Sequence, residues 1–418
     1  MDFFRFLMSD VLSEPAVLVG LIALIGLIAQ KKPVTECIKG TVKTIMGFVI
    51  LGAGAGLVVS SLGDFANIFQ HAFGIQGVVP NNEAIVSVAQ KSFGKEMAMI
   101  MFFAMVINIM IARFTPWKFI FLTGHHTLFM SMMVAVILAT AGMTGITLIA
   151  VGSLVVGVAM VFFPAIAHPY MKKVTGSDDV AIGHFSTLSY VLAGFIGSKF
   201  GNKEHSTEDM NVPKSLLFLR DTPVAISFTM SIIFLVTCLF AGADAVKELS
   251  GGKNWFMFSI MQSITFAAGV YIILQGVRMV IAEIVPAFKG ISDKLVPNAR
   301  PALDCPVVFP YAPNAVLVGF LSSFAAGLIG MFTLYLLNMI VIIPGVVPHF
   351  FVGAAAGVFG NATGGRRGAI LGAFAQGLLI TFLPVFLLPV LGDIGFANTT
   401  FSDADFGALG ILLGIIVL

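Results

Sequence analysis

Apolar positions along this chain neither alternate nor recur every three to four residues. They run on for about 20 residues at a time, the length that crosses a bilayer core. Eleven such runs, near 13–30, 42–62, 97–112, 119–140, 145–167, 222–242, 255–275, 315–336, 338–359, 369–391 and 404–418, predict spanning helices. The polar intervals between them are short, so a sizeable soluble domain has no room, and 1–418 reads as one integral membrane unit. The first run follows the acidic "MSDVLSEPA", without a basic start or a small-residue cleavage site, and so reads as a span, not a signal peptide. The last run stops at Leu418 with no polar tail, which reads as a chain cut short.

Composition agrees: 58% of the 418 residues are hydrophobic and only 11% charged, against roughly 25% charged in soluble domains. The net charge of +2 carries no nucleic-acid signal, because the basic residues are spread over short connections. With the N-terminus outside, the inner connections hold 18 of the 23 Lys and Arg, among them Lys31, Lys32, Arg113, Lys172, Lys173, Lys214, Arg220, Arg278, Arg300 and Arg366. The outside keeps Arg5, Lys91, Lys95, Lys247 and Lys253, and the stretch "GDIGFANTTFSDAD" there is purely acidic. Cytoplasmic loops retain positive charge, so this predicts N-out, C-in. Cys37, Cys238 and Cys305 are too few and scattered for a disulfide framework or zinc site, and packing is their ordinary role. No metal or cofactor is expected.

Three stretches are neither simple spans nor simple loops. Residues 64–92 join two short apolar pieces around Pro80-Asn81-Asn82; residues 182–200 are apolar but short; residues 295–316 carry five prolines, which forbid a continuous helix. Broken backbone at membrane depth survives only against protein or a water-filled cavity, and transporters build binding sites from such re-entrant segments. An interfacial segment or plug is the plainer alternative for each. The small residues of "LGAGAGL" (51–57) and "GAAAGVFGNATGG" (353–365) read as close helix packing.

Ionisable groups inside such segments are expensive and become functional candidates: Glu83, His125, His126, His184, Glu283, Asp304 and His349. His125 and His126 are consecutive, about 100° apart on a helix, so only one is expected to face a given cavity. That one is read as His125, with His126 and His349 as imidazoles satisfied within the packing. Glu283 reads as an interfacial residue near Arg278. Walker, zincin, nucleophile-elbow and Cys-x-x-Cys patterns are all lacking. The chain is therefore expected to bind and move something rather than to carry phosphate chemistry.

The stretches "IKGTVKTIMGFVILGAGAG" (38–56), "FLTGHH" (121–126), "IGH" (182–184), "QGVRMVIAEIVPAFKGISDKLVP" (275–297) and "LDCPVVFPYAPNAVLVGF" (303–320) resemble the L-ascorbate-specific membrane component, enzyme IIC, of the bacterial phosphoenolpyruvate-dependent phosphotransferase system. The resemblance implies an all-α polytopic membrane protein of about 11 transmembrane helices plus re-entrant hairpins. Two inverted structural repeats, approximately 1–220 and 221–418, would form a substrate-holding core domain and a dimerising scaffold domain. It further implies an inner-membrane homodimer moving L-ascorbate or a related sugar acid by an elevator-type movement, with separate IIA and IIB proteins as partners. IIB would phosphorylate the sugar as it emerges, so no phosphorylated residue or nucleophile is expected in this chain. Substrate contacts carried over by the resemblance are His125, His184, Asp304, the Asn82–Glu83 pair, Cys305 and Asn314, with Phe129 and Phe185 as departures. Members of that family carry glutamines where this chain has Phe129-Met130 and Phe185, and an aromatic where it has Glu83; such exchanges of hydrogen-bond partners alter specificity. An ion-coupled carrier of a sugar acid or polyol, with Asp304, Glu83 and histidines relaying protons, is the alternative. An intramembrane hydrolase lacks a nucleophile–base pair of recognisable spacing.

Overall fold

A segment crossing lipid must satisfy its own backbone, and a helix does so internally. The computed structural model describes residues 15–74, 77–210, 218–219, 221–396 and 398–418. Arg5, Lys214 and Arg220, used in the charge tally, lie outside these, as does the start of the first expected span. In chain order come α1 (Pro15–Ala29), α2 (Val34–Phe73), β1 (Gly77–Pro80), α3 (Asn82–Phe114), β2 (Phe119–Phe121), α4 (Gly124–Thr140), α5 (Gly145–Thr175), β3 (Ala181–Ile182) and α6 (Thr187–Phe200). After a 3₁₀ turn at Thr207–Asp209 follow α7 (Thr222–Ala241), the short α8 (Ala243–Leu249), α9 (Trp255–Leu295), β4 (Arg300–Leu303), a 3₁₀ segment (Cys305–Tyr311) and α10 (Pro313–Leu336). The chain then runs through β5 (Val341–Ile342), α11 (Val346–Leu387), a 3₁₀ segment (Leu388–Phe396), β6 (Thr399–Thr400) and α12 (Ala404–Val417).

Seven helices of the described residues are long and apolar enough to span: α2, α3, α5, α7, α9, α10 and α11. Several of the expected spans differ; those at 42–62 and 255–275 lie within the longer α2 and α9. The 119–140 run opens as a strand and leaves a helix of 17 residues, and the last run forms one of 14; at 1.5 Å per residue these reach about 26 and 21 Å, short of a core about 30 Å thick. The runs at 338–359 and 369–391 contribute the two limbs of α11, which begins only at Val346, after β5, and is broken at Gly364 and Gly365. Gly365 has φ +59, and a side chain there would run into the Asn202 and His205 carbonyls, so the break needs glycine.

Residues 64–92 are not a hairpin. Residues 64–73 end the 40-residue α2, and 82–92 open α3, carrying Lys91 and Lys95 on a helix and not in an outer loop. Asn81 starts α3 by accepting from the Ala84 amide at 2.7 Å. By contrast, 182–200 is a strand leading into a short helix, and the proline-rich 295–316 is broken by a strand and a 3₁₀ segment, as expected.

Counting the limbs of α11 separately and leaving out α8 and the 3₁₀ segments, the order of elements from α1 to α6 is met again from α7 to α12: two helices, strand, helix, strand, two helices, strand, helix. The strands form two three-stranded parallel sheets, β5-β1-β6 and β2-β4-β3, and in each the middle strand comes from the other half of the chain. This pairing satisfies backbone exposed by the breaks. Around the edges, Leu122 donates to the Ala302 carbonyl at 2.9 Å and Gly183 to that of Leu303 at 2.7 Å.

The helices pack in two groups. One joins α2 to α9, flanked by α1 and α7; the other joins α3 to α4 and α5, and α11 to α6, α10 and α12. Small residues set the second group's spacing, as the glycine stretch predicted: a Cβ on Gly319 of α10 would lie 2.8 Å from the Gly357 Cα of α11.

Candidate functional site

Each of the six strands ends beside the same place. Asn82 and Glu83 follow β1, His125 and His126 follow β2, His184 follows β3, Asp304 follows β4, Val347 and Pro348 follow β5, and Ser402 and Asp403 follow β6. All of them line one cavity of about 300 Å³. Extended backbone ends there and helices begin, so the polar residues that start helices are delivered to one point inside the protein.

Asp304 lies between two imidazoles: Oδ2 is 3.5 Å from His125 Nε2 and Oδ1 is 3.8 Å from His184 Nε2. Asp304 Oδ1 also accepts from the Cys305 amide at 2.7 Å, which fixes the carboxyl. On the other side Asp403 Oδ2 stands 3.8 Å from His126 Nε2 and 3.9 Å from His184 Nε2. The His126 and His184 rings are 3.8 Å apart between centroids. The surroundings orient these groups. The Tyr190 hydroxyl and His184 Nδ1 are 2.8 Å apart, Ser402 Oγ donates to Asp403 Oδ1 at 2.9 Å, and the Ser402 amide donates to Asn82 Oδ1 at 2.9 Å.

The Phe185 amide donates to His126 Nδ1 at 3.2 Å. A neutral imidazole accepting at one nitrogen carries its proton on the other, so His126 presents Nε2–H to Asp403. Three clusters here have metal-ligand residue types, but a ligating histidine donates its second ring N–H to a partner, and His126 faces a donor instead. That removes the two clusters containing His126. The third, His184, Asp304 and Cys305, draws two of its members from the same cavity.

A second cavity of about 550 Å³ adjoins the first, sharing Leu274, Arg278, Pro306 and Phe351 with it. Arg278, on α9, stands at the junction.

Of the expected site residues, the cavity gathers His125, His184, Asp304, Glu83, Asn82 and Phe129. Phe185 does not line it; its buried ring stacks on Phe121, with centroids 4.5 Å apart, and packs behind His126, to which its amide donates. Cys305 is buried behind Asp304 and does not line the cavity. Asn314 stands at the start of α10 and donates to the Thr207 and Met210 carbonyls. His126 lines the cavity together with His125, against the expectation that only one would. His349 packs as expected, with Nδ1 2.7 Å from Ser323 Oγ.

Sequence reasoning missed Asp403, Ser402 and Arg278 in the lining, and the fully buried Asp405 beside it. The first, second and fourth lie in the acidic stretch read as an outer loop. Its signal was the Asp-Ala-Asp opening an apolar run, the pattern of a helix start.

The sequence matches the family of PTS system sugar-specific permease components over residues 10–405. It is also similar to the ascorbate-specific PTS system EIIC component of Mycoplasma pneumoniae, with 28% identity over 459 aligned positions that cover 96% of this chain and 67% of that protein.

Proposed function

The chain belongs to the family of sugar-specific permease components of the phosphotransferase system, and from that premise we propose that it carries L-ascorbate, or a closely related sugar acid, inward across the bacterial inner membrane. A separate IIB protein, itself charged by IIA, then phosphorylates the sugar at the inner face. The observation that carries this reading is Asp304 held between His125 and His184 at the meeting point of six strand ends. Ascorbate is an enolate anion rich in hydroxyls. His125 and His184 donate to its oxygens, Asp304 and Glu83 accept from its hydroxyls, and Phe129 covers an apolar face. The first turns of α4 and α11 lack side-chain caps, so their amides add donors suited to an anion.

The group holding α3–α6 and α10–α12 is the moving core, and the α1, α2, α7, α9 group is the scaffold that holds a second copy in a homodimer. Two inverted repeats put one strand sheet on each side of the cavity, and the core slides past the scaffold in an elevator movement. The N-terminus lies outside and the C-terminus in the cytoplasm. All three cysteines are buried, in keeping with a chain that is not itself phosphorylated. The IIB phosphocysteine gives its phosphoryl group to a sugar hydroxyl.

Uptake of labelled L-ascorbate in cells lacking their own system, with and without the cognate IIB and IIA, tests this. The expected result is ascorbate phosphate inside the cell only when IIB is present. Free ascorbate accumulating without IIB would identify an ion-coupled carrier instead. No ascorbate uptake would mean that Glu83 and Phe129 have remade the cavity for another sugar.

A further inference from the structure

The cavity is rich in acid. Glu83, Asp304 and Asp403 line it, and His125, His126 and His184 are its imidazoles. Every one of these comes from the α3–α6 and α10–α12 group or the strands that precede its helices. An anion entering such a place meets carboxyls on several sides, and like charges at close quarters are unfavourable. One guanidinium lines the cavity among the described residues, that of Arg278, and it comes from the other group of helices. Arg278 is exposed, makes no ion pair among the described residues, and lines the cavity together with His125. Tyr271, Gln275 and Arg278 are spaced four and three residues apart on α9, so they share one helix face, and all three line the larger adjoining cavity. A long, exposed cation thus stands between the larger space and the acidic one.

We propose that Arg278 is the charge-selecting residue of the cavity: its guanidinium pairs with the anionic oxygen of the substrate and offsets the carboxyls that bind the hydroxyls. A planar, permanently charged fork suits an enolate or carboxylate oxygen. Because Arg278 belongs to α9 and the other polar lining does not, a shift of one helix group past the other removes the counter-charge. Affinity for an anion then depends on which way the carrier faces, whereas affinity for a neutral sugar does not. This rests on the sugar-acid reading given above.

The test is ligand binding to the purified full-length protein, using L-ascorbate and the neutral hexitol sorbitol as probes. Arg278→Gln is expected to weaken ascorbate binding at least ten-fold and to leave sorbitol binding within two-fold, while Arg278→Lys recovers most of the ascorbate affinity. On the unaltered protein, raising salt from 50 to 500 mM should weaken ascorbate binding several-fold, because an exposed pair is screened, and Arg278→Gln should lose that dependence. Equal ascorbate affinity in Arg278→Gln and wild type, or wild-type binding indifferent to salt, overturns the proposal while leaving the sugar-acid reading intact. Wild type that binds sorbitol but not ascorbate overturns both.

Discussion

Asp405, at the start of α12, accepts hydrogen bonds from the amides of Thr187 at 2.8 Å and Leu188 at 2.9 Å, at the start of α6, and from the Thr187 hydroxyl. The exchange is mutual, since the Asp405 amide donates to the Phe185 carbonyl at 3.2 Å and the Ala404 amide to Ser186 Oγ at 3.1 Å. The last short helix of each half is thus capped by the other, and His184 and Asp403 lie just ahead of this clasp.

Removing that carboxylate leaves two buried amides and a hydroxyl without an acceptor. Asp405→Ala is expected to cost about 2–3 kcal/mol, and Asp405→Asn, which keeps one acceptor oxygen, about half as much. Thermal unfolding of the detergent-solubilised protein reads this. An unchanged midpoint in the alanine variant would show that the clasp contributes nothing.

In the proposed reading Asp304 is the group most directly committed to substrate hydroxyls. Asp304→Asn keeps the shape but trades an acceptor for a donor facing His125 and His184. A hydrogen bond to a charged group contributes about 1.5–3 kcal/mol, so ascorbate binding should weaken about 10–100-fold. Normal uptake by this variant would remove Asp304 from the substrate contacts.

His126 should show its ring proton on Nε2. Nitrogen-15 spectra of histidine-labelled protein are expected to report an unprotonated Nδ1 for this residue. His126→Phe leaves the Phe185 amide without its acceptor and should cost about 1–3 kcal/mol of stability. A protonated Nδ1 would contradict the assignment and restore the metal-binding alternatives.

Asp178 lies in the connection between α5 and β3. Its carboxyl is 2.8 Å from both Lys172 Nζ and His168 Nε2 and is also paired with Arg300. Lys172, His168 and Arg300 hold it well below the usual carboxylate range. A depressed carboxyl stabilises the fold above the unfolded-state value and loses that effect as pH falls through the folded one. The difference in unfolding midpoint between wild type and Asp178→Asn should therefore stay constant from pH 8 to 5 and shrink only below about pH 4. A difference that already vanishes at pH 6 would mean that His168, not Asp178, governs the connection.

Long apolar runs announced most of the helices, because hydropathy acts locally, but not their ends: α2, α3 and α9 run well past the expected spans, and Pro164, Pro169, Pro286 and Pro384 lie inside helices. His125, His184 and Asp304 were legible as chemistry because they stand at the ends of apolar segments. Asp403 and Asp405 were not: a short acidic stretch has the composition of an outer loop, and only the clasp with α6 takes it inside. The rule that neighbouring helix positions diverge failed for His126 because the cavity lies off the end of α4 rather than beside it, where both first-turn side chains reach. Phe185 and Asn314 sat in the right stretches but turn toward packing and toward Thr207. Arg278 was counted with an inner connection because nothing in its own stretch reveals that α9 continues past it or that two helix groups meet at its level.

The exchanged strands also bear on the order of events during synthesis. β2 and β3 are joined into one sheet by β4, which begins at Arg300, long after β3 ends at Ile182. At about 5–20 residues per second, the ribosome needs on the order of ten seconds to make the intervening chain. During that interval the first half is already threaded into lipid with a slot that only its later half can fill. His184 reaches its place beside Asp304 when that slot closes, so the cavity they line is among the last features of the nascent protein to exist.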